Sequence, residues 1–491
     1  MTGFWRCGLI LGLATALSGC GTYSSGNSLL AAPVEAAGPQ AIPNDAATIL
    51  MAVWDVSQGA LEVEAVDLAT GSPASGWSRL VLHDGGRDIA GYARSASGGA
   101  MAVLSGTAAF CPRSAGGSAC WSGADRLHVI DLTARDDWTF DLGLTAYIPA
   151  LTFSPDGRTV ALARNNREGF AVSLWRSGAG GPSRDVSLTF LPSLLEYSSD
   201  GRELIALGAH PGEDPGMTEP GPLTVAALDA ETLAILWEET LDVRHGGWCL
   251  EGCGDSHEQI LFAHWTPAIV RLPGTDRIVI LHADSEKMTT IDAALRRIQT
   301  IDIVTAWSWL DRLMALGTMP AEAKGGSQGV YRQAVASPDG ARVYAVGREY
   351  QAWKNADGMW EMSDTSLGLQ VIDAESGVRL TTLETDAYRV ALSEDGSRLL
   401  LHGWLGPTPR TETFATGDLR AGRTLEGWEV QTGQSLEGAE VILATSAATG
   451  VTRVSASPGS PGVTRVARVD PNTLDIGEPW SLPGHATLLL P

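Results

Sequence analysis

The run Gln333-Ala334-Val335-Ala336-Ser337-Pro338-Asp339-Gly340-Ala341-Arg342-Val343-Tyr344-Ala345-Val346 decides the fold. Two short alternating apolar stretches flank Ser337-Pro338-Asp339-Gly340. Proline pre-sets φ at the second turn position, aspartate accepts from nearby backbone amides, and glycine takes the positive φ that closes the turn. The segment therefore predicts a β-hairpin. The same element recurs as Ser154-Pro155-Asp156-Gly157, as Ser199-Asp200-Gly201 and as Ser393-Glu394-Asp395-Gly396. Weaker copies stand at Ser97-Gly98-Gly99 and Pro273-Gly274-Thr275-Asp276.

A second element follows each hairpin: an alternating strand that ends on an acidic residue (in the third unit an arginine holds the equivalent place), then a turn, then another strand. Its copies are Val66-Asp67, Val129-Ile130-Asp131, Leu174-Trp175-Arg176, Leu228-Asp229, Thr290-Ile291-Asp292, Val371-Ile372-Asp373, Trp428-Glu429 and Val469-Asp470. Eight copies of two hairpins predict eight four-stranded antiparallel units, about 56 residues each over 46–491. That exceeds the ~40–45 residues of a compact unit, so inserted loops are expected. Such sheets stack around an axis as a β-propeller. Seven blades is the alternative count, and the long interval from Asp292 to Asp373 leaves room for a further strand pair at Trp307–Met314. The opening stretch Thr48-Ile49-Leu50-Met51 lacks a preceding partner strand, which His485-Ala486-Thr487-Leu488-Leu489-Leu490 can supply. The expected fold is thus an all-β propeller closed by pairing of N- and C-terminal strands.

The motif set resembles the YVTN and WD40-like β-propeller repeat families. The resemblance covers nearly all of residues 46–491, is specific for fold and weak for function, and lacks the Gly-His and Trp-Asp pairs of true WD40 blades.

Upstream, Arg6 precedes an apolar run from Gly8 to Leu17 that ends in Leu17-Ser18-Gly19-Cys20. The run is too short to span a bilayer as a mature helix and fits a signal-peptide core. The site resembles a bacterial lipoprotein signal, which implies removal of residues 1–19 and diacylglyceryl and fatty acyl (palmitate) modification of Cys20. Residues 20–45, rich in Gly, Ser, Ala and Pro, read as a flexible tether with a reach of ~28 Å. The expected location is the cell membrane, lipid-anchored on its extracytoplasmic face.

Acidic residues number 57 against 34 basic ones, a net charge of -23, with only three lysines. This excludes a nucleic-acid partner, which needs clustered cations. Besides Cys20 the mature chain holds four cysteines, in two local pairs, Cys111/Cys120 and Cys249/Cys253, and an exported chain favours two disulfides. The competing reading is a zinc or copper site from His245, Cys249, Cys253 and His257, spaced by four. Glycines 246, 247, 252 and 254 argue against the helix that spacing needs. No cofactor motif occurs. Gly325-Gly326-Ser327-Gln328-Gly329 matches a nucleophile pattern but sits in a glycine-rich loop leading to a strand.

Segments 107–124, 209–222, 243–265, 315–329, 348–366 and 403–424 depart from the repeat and read as insertions, where propellers place function. The sixteen tryptophans read as inter-blade packing. The sequence favours a binding or scaffolding module for an envelope protein, peptide or glycan over an enzyme. The alternatives are a lactonase- or dehydrogenase-like propeller with a site at the central channel, or a metal/redox role for 243–265. The oligomeric state is not encoded legibly.

Overall fold

The computed structural model describes residues 48–489 except 56–59, 75–79, 85–87, 96–97, 107, 111–120, 124, 135, 143–149, 167–168, 177–180, 210–220, 246–247, 250–262, 306–327, 355–359, 394, 406–407, 435–439, 448–462, 471–472 and 484. The signal, Cys20 and the tether lie outside the described residues.

Among the described residues, seven four-stranded antiparallel sheets and one eight-stranded sheet, built around an eighth four-stranded antiparallel unit, succeed one another along the chain. Strands are called a to d in pairing order. Blade 1 is His485–Leu488, Thr48–Asp55, Ala60–Asp67 and Leu80–Asp84; blade 2 is Asp88–Arg94, Ala100–Gly106, Arg126–Asp131 and Asp136–Asp141. Blade 3 is Leu151–Phe153, Thr159–Asn166, Gly169–Arg176 and Arg184–Leu188; blade 4 is Leu191–Tyr197, Glu203–Ala209, Gly221–Asp229 and Ile235–His245. Blade 5 is Ala268–Arg271, Arg277–Leu281, Lys287–Asp292 and Arg297–Asp302; blade 6 is Gln328–Ala336, Arg342–Lys354, Leu369–Asp373 and Val378–Leu383. Blade 7 is Ala387–Leu392, Arg398–Leu405, Thr408–Ala415 and Ala421–Glu426; blade 8 is Glu429–Gln434, Glu440–Ala447, Val463–Arg468 and Trp480–Pro483. Among the described residues the fold is an all-β propeller of eight four-stranded antiparallel blades, which excludes the seven-blade count. No helix occurs among the described residues.

Blade 1 takes its strand a from the chain's end. Met51 faces Leu488, Ala52 faces Thr487, Val53 faces Ala486 and Trp54 faces His485. The Leu489 N–H donates to Leu50 O at 3.0 Å.

The a–b turns are five residues long at 95–99, 154–158, 198–202, 272–276, 337–341 and 393–397. At Ser337 the hydroxyl donates to Asp339 Oδ1 (2.5 Å), the Ala341 N–H donates to the same oxygen (3.0 Å), and the Arg342 N–H donates to Ser337 Oγ (2.9 Å). Equivalent bonds form at Ser154, Ser198 and Ser393. The second copy thus starts at Ser198, one residue earlier than its sequence reading. The c–d turns use another local bond. Asp229 Oδ1 accepts from the Thr232 N–H (2.8 Å) and hydroxyl (2.7 Å), and Asp373 does the same with Ser376. The fifth turn residue, counted from that first position, takes positive φ at Gly71, Leu233, Arg296, Gly377, Leu419 and Leu474.

Alternation buries one row of each strand against the next blade. In the unit that holds blades 1, 2, 3 and 8 and part of 4, apolar clusters join blade 8 to 1 (Leu443 and Val466 with Ile49 and Met51), 1 to 2 (Leu50 and Val63 with Met101 and Val103) and 2 to 3 (Leu104 and Leu127 with Val160 and Trp175). A fourth joins 3 to 4 through Phe190, Leu204 and Leu228. In the unit holding blades 5 to 7, Val279, Leu281 and Met288 pack on Val343 and Ile372, and Tyr344 packs with Leu399 and Leu401. Trp175 lies 5.0 Å from Phe140 in a tilted ring pair, and Trp480 packs beside Gly71. These tryptophans serve inter-blade packing, as the sequence implied. Successive a–b turns also touch: Pro155 packs on Gly201, and Pro338 packs on Gly396.

One repeat copy was misplaced. Glu429–Gln434 is strand a of blade 8, so Trp428-Glu429 does not end a strand c. Strand c of blade 7 is Thr408–Ala415, inside the expected insertion 403–424. Its buried row is Thr411 and Thr413 rather than aliphatic residues, which hid the alternation.

Candidate functional site

In a four-stranded antiparallel blade, the a–b and c–d turns share one end. The b–c turns and d–a connections share the other. The a–b turns keep one length, whereas 107–125, 210–220, 246–267, 303–327 and 448–462 all join strands b to c or d to a. The longest connections therefore lie at one end of each blade.

Two of these connections and a lengthened b–c hairpin meet on blade 6. Its strand b runs on as a long hairpin, with Arg348 facing Ser366 and Lys354 facing Trp360. Its strand a begins at Gln328 and is extended sideways by Ala263–Thr266, in parallel register with Trp265 at Val330 and Thr266 at Tyr331. Trp248–Cys249 adds one more strand, with Trp248 facing His264 and Cys249 facing Ala263. Described parts of segments read separately as insertions, Trp248–Cys249, Ala263–Thr266 and Trp360–Ser366, thus join the strands of blade 6 in one sheet of eight strands. A strand follows Ser327, so the helix that a nucleophile elbow needs is missing there.

Ion pairs brace this blade. Arg348, at the hairpin's neck, donates from Nε to Asp364 Oδ1 (2.6 Å) and from Nη1 to Asp386 Oδ1 and O (3.0 Å each), tying the hairpin to the entry of blade 7. Arg332, 6% exposed, reaches Glu286 Oε1 (2.8 Å) and Gln370 Oε1 (3.3 Å), and Arg379 also binds Glu286. Burial acts to raise the Glu286 carboxyl, but the two guanidiniums overcome it and hold it below its ordinary range. Sequence reasoning missed these residues, because no local pattern joins Glu286 to Arg332 across 46 positions.

Buried histidines form a second polar class. His282 Nε2 bonds Thr289 Oγ1 (2.7 Å), which bonds Thr300 Oγ1 (2.7 Å). His402 Nδ1 bonds Thr411 Oγ1 at 3.1 Å, and His128 bonds both Ser105 and Thr139. Burial lowers His282 to about 4 despite Asp284 nearby, with Lys287 and Arg332 adding to the fall. Burial, with Arg389, holds His402 well below 6.5. A histidine kept neutral in the fold and charged in the unfolded chain contributes stability that is complete above pH 6.5 and lost as pH falls toward the folded value. The loss at His282 is on the order of 3 kcal/mol by pH 4. Thermal melts should therefore decline between pH 6.5 and 4, and His282→Gln should flatten that window. An identical slope in the variant would refute the assignment.

The predicted cysteine and metal residues fall largely outside the described region. Cys20, Cys111, Cys120, Cys253 and His257 are not described; His245 ends strand d of blade 4, and Cys249 lies in the added strand. No group of three or more metal-ligating side chains occurs among the described residues. In blade 2 an accessory hairpin pairs Ala108 with Gly123 and Phe110 with Trp121. Cys111 follows Phe110 and Cys120 precedes Trp121 in the sequence, and both lie outside the described residues. We expect the two to be oxidised together, with a gain below the ~3 kcal/mol of a 15-residue loop. Mass mapping under non-reducing conditions checks this; finding both thiols alkylated overturns it.

Neither a family model nor a curated protein matches the chain. Among solved structures it is similar to one described as the eukaryotic initiation factor, at 10% identity and a TM-score of 0.45, covering 89% of each chain. It is also similar to the Myceliophteria thermophila Cps50 (Swd1) β-propeller domain, at 13% identity and a TM-score of 0.38, covering 73% of this chain and 93% of that one.

Proposed function

We propose that this chain is a lipid-anchored, extracytoplasmic binding or scaffolding module. Cys20 carries the lipid, the tether through residue 45 lifts the propeller from the membrane, and the enlarged sheet of blade 6 receives a protein, peptide or glycan partner at the cell envelope. Disulfides at Cys111/Cys120 and Cys249/Cys253 stiffen the insertions. One observation carries the reading: three separate insertions build a single sheet, and Arg348 and Arg332 brace it against both neighbouring blades. A braced surface loses less conformational freedom on binding than independent loops do.

The test replaces residues 350–364 with Asn-Gly, which leaves Glu349 facing Thr365 across a two-residue hairpin turn. The variant should keep its melting temperature within a few degrees and lose cross-linking to its envelope partner. Cys20→Ala should abolish palmitate labelling and release the protein from membranes. An unchanged partner set in the shortened variant rejects the blade 6 surface, and unchanged labelling in Cys20→Ala rejects the anchor.

A further inference from the structure

Among the described residues, the ion pairs between blades 5 and 6 run through one turn. His282-Ala283-Asp284-Ser285-Glu286 joins strands b and c of blade 5. Its last residue carries the carboxylate gripped by Arg332 on strand a of blade 6 and by Arg379 on strand d. The Glu286 carbonyl also accepts from the Ile303 N–H at 2.8 Å. Val304 and Thr305, which follow, pair in parallel with Val378 and Arg379. Movement of the turn is therefore transmitted to strands a and d of blade 6.

The first residue of the same turn is a wholly buried histidine. His282 is 0% exposed, and its Nε2 bonds Thr289 Oγ1. Its Nδ1 has no hydrogen-bond partner among the described residues. A neutral ring meets this at low cost, with Nε2 donating to Thr289 and Nδ1 left as a bare lone pair. An imidazolium carries N–H on both nitrogens, so the second donor is buried without an acceptor. The surrounding charges point the same way. Asp284, in the turn itself, favours the imidazolium, whereas Lys287 at the start of strand c and Arg332 across the seam oppose it. Arg332 and Arg379 already share the Glu286 carboxylate, and the Nε of each has no partner among the described residues. A further buried cation thus enters a seam whose bridging anion is taken.

We propose that His282 is an acid-operated latch: its protonation opens the turn 282–286, draws Glu286 away from Arg332 and Arg379, and frees strands a and d of blade 6 from blade 5. Strand a also carries the added strand Ala263–Thr266, so acid loosens the enlarged sheet at its base. The latch stands apart from the lipid anchor and from whatever the sheet binds, since it rests only on groups inside the seam. Glu286 is not the trigger, because the two guanidiniums hold its carboxyl below the ordinary range and keep it ionised in mild acid.

Hydrogen exchange of the full chain, read by mass spectrometry and corrected for intrinsic rates, tests this. An imidazole that titrates at about 4 when enclosed and at 6.5 when released shifts the opening equilibrium about twentyfold between pH 7 and pH 5. Peptides covering 282–289 and 328–336 should gain exchange together by about that factor, while 159–164 in blade 3 stays flat. His282→Gln keeps a donor for Thr289 and does not titrate, so the gain should vanish from both peptides. Glu286→Gln should keep the gain at 282–289 and uncouple 328–336, whose exchange is then raised already at pH 7 and changes little with acid. A flat 282–289, a gain that survives in His282→Gln, a gain at 282–289 that 328–336 does not share in the unaltered chain, or an equal rise at 159–164 would each overturn the proposal.

Discussion

Deleting residues 485–491 should abolish cooperative folding, or lower the melting temperature by more than 10 °C. Leu488 is 1% and Leu489 2% exposed. Fully burying a leucine contributes about 1.5–3 kcal/mol. Four residue pairs of the ladder from Met51↔Leu488 to Trp54↔His485 disappear too, at about 0.5–1.5 kcal/mol per hydrogen bond. The expected loss of about 5–10 kcal/mol approaches the whole margin of a typical domain. The deletion also leaves Thr48–Asp55 as an open apolar edge. Circular dichroism melts of the shortened chain check this, and an unchanged midpoint would show that the closure contributes nothing.

Gly396→Ala should cost about 2–4 kcal/mol, and the cost should depend on Pro338. Gly396 sits at φ +67°, where a Cβ costs roughly 1–2 kcal/mol. That Cβ would also overlap the Pro338 ring from the preceding a–b turn. The two causes separate in a double-mutant cycle. In a Pro338→Ala background the steric part vanishes and only the dihedral part remains, so a coupling of about 1–2 kcal/mol is expected. Denaturant titration measures it. Strict additivity would mean that the turns do not bear on one another.

The blade plan was legible because its turns are local chemistry. Ser337, Asp339 and Gly340 satisfy one another within six residues, so the pattern survives in a bare string. Blade 7 was the exception. Its strand c presents Thr411 and Thr413 inward and carries Pro409, which reads as loop. The enlarged sheet of blade 6 was not legible. Its parallel contact joins Trp265 to Val330 across 65 positions, and two-residue strands leave no period to detect. The clamp of Glu286 on Arg332 and Arg379 was equally silent, since charge carries no register.

The closure also sets a clock. A ribosome adds about 5–20 residues per second. His485 follows Thr48 by 437 positions, so blade 1 waits on the order of 20–90 s for its first strand. During that interval Thr48-Ile49-Leu50-Met51-Ala52-Val53-Trp54 has one side of its backbone unpaired. A chain held up before residue 485 is thus a chain with an adhesive edge.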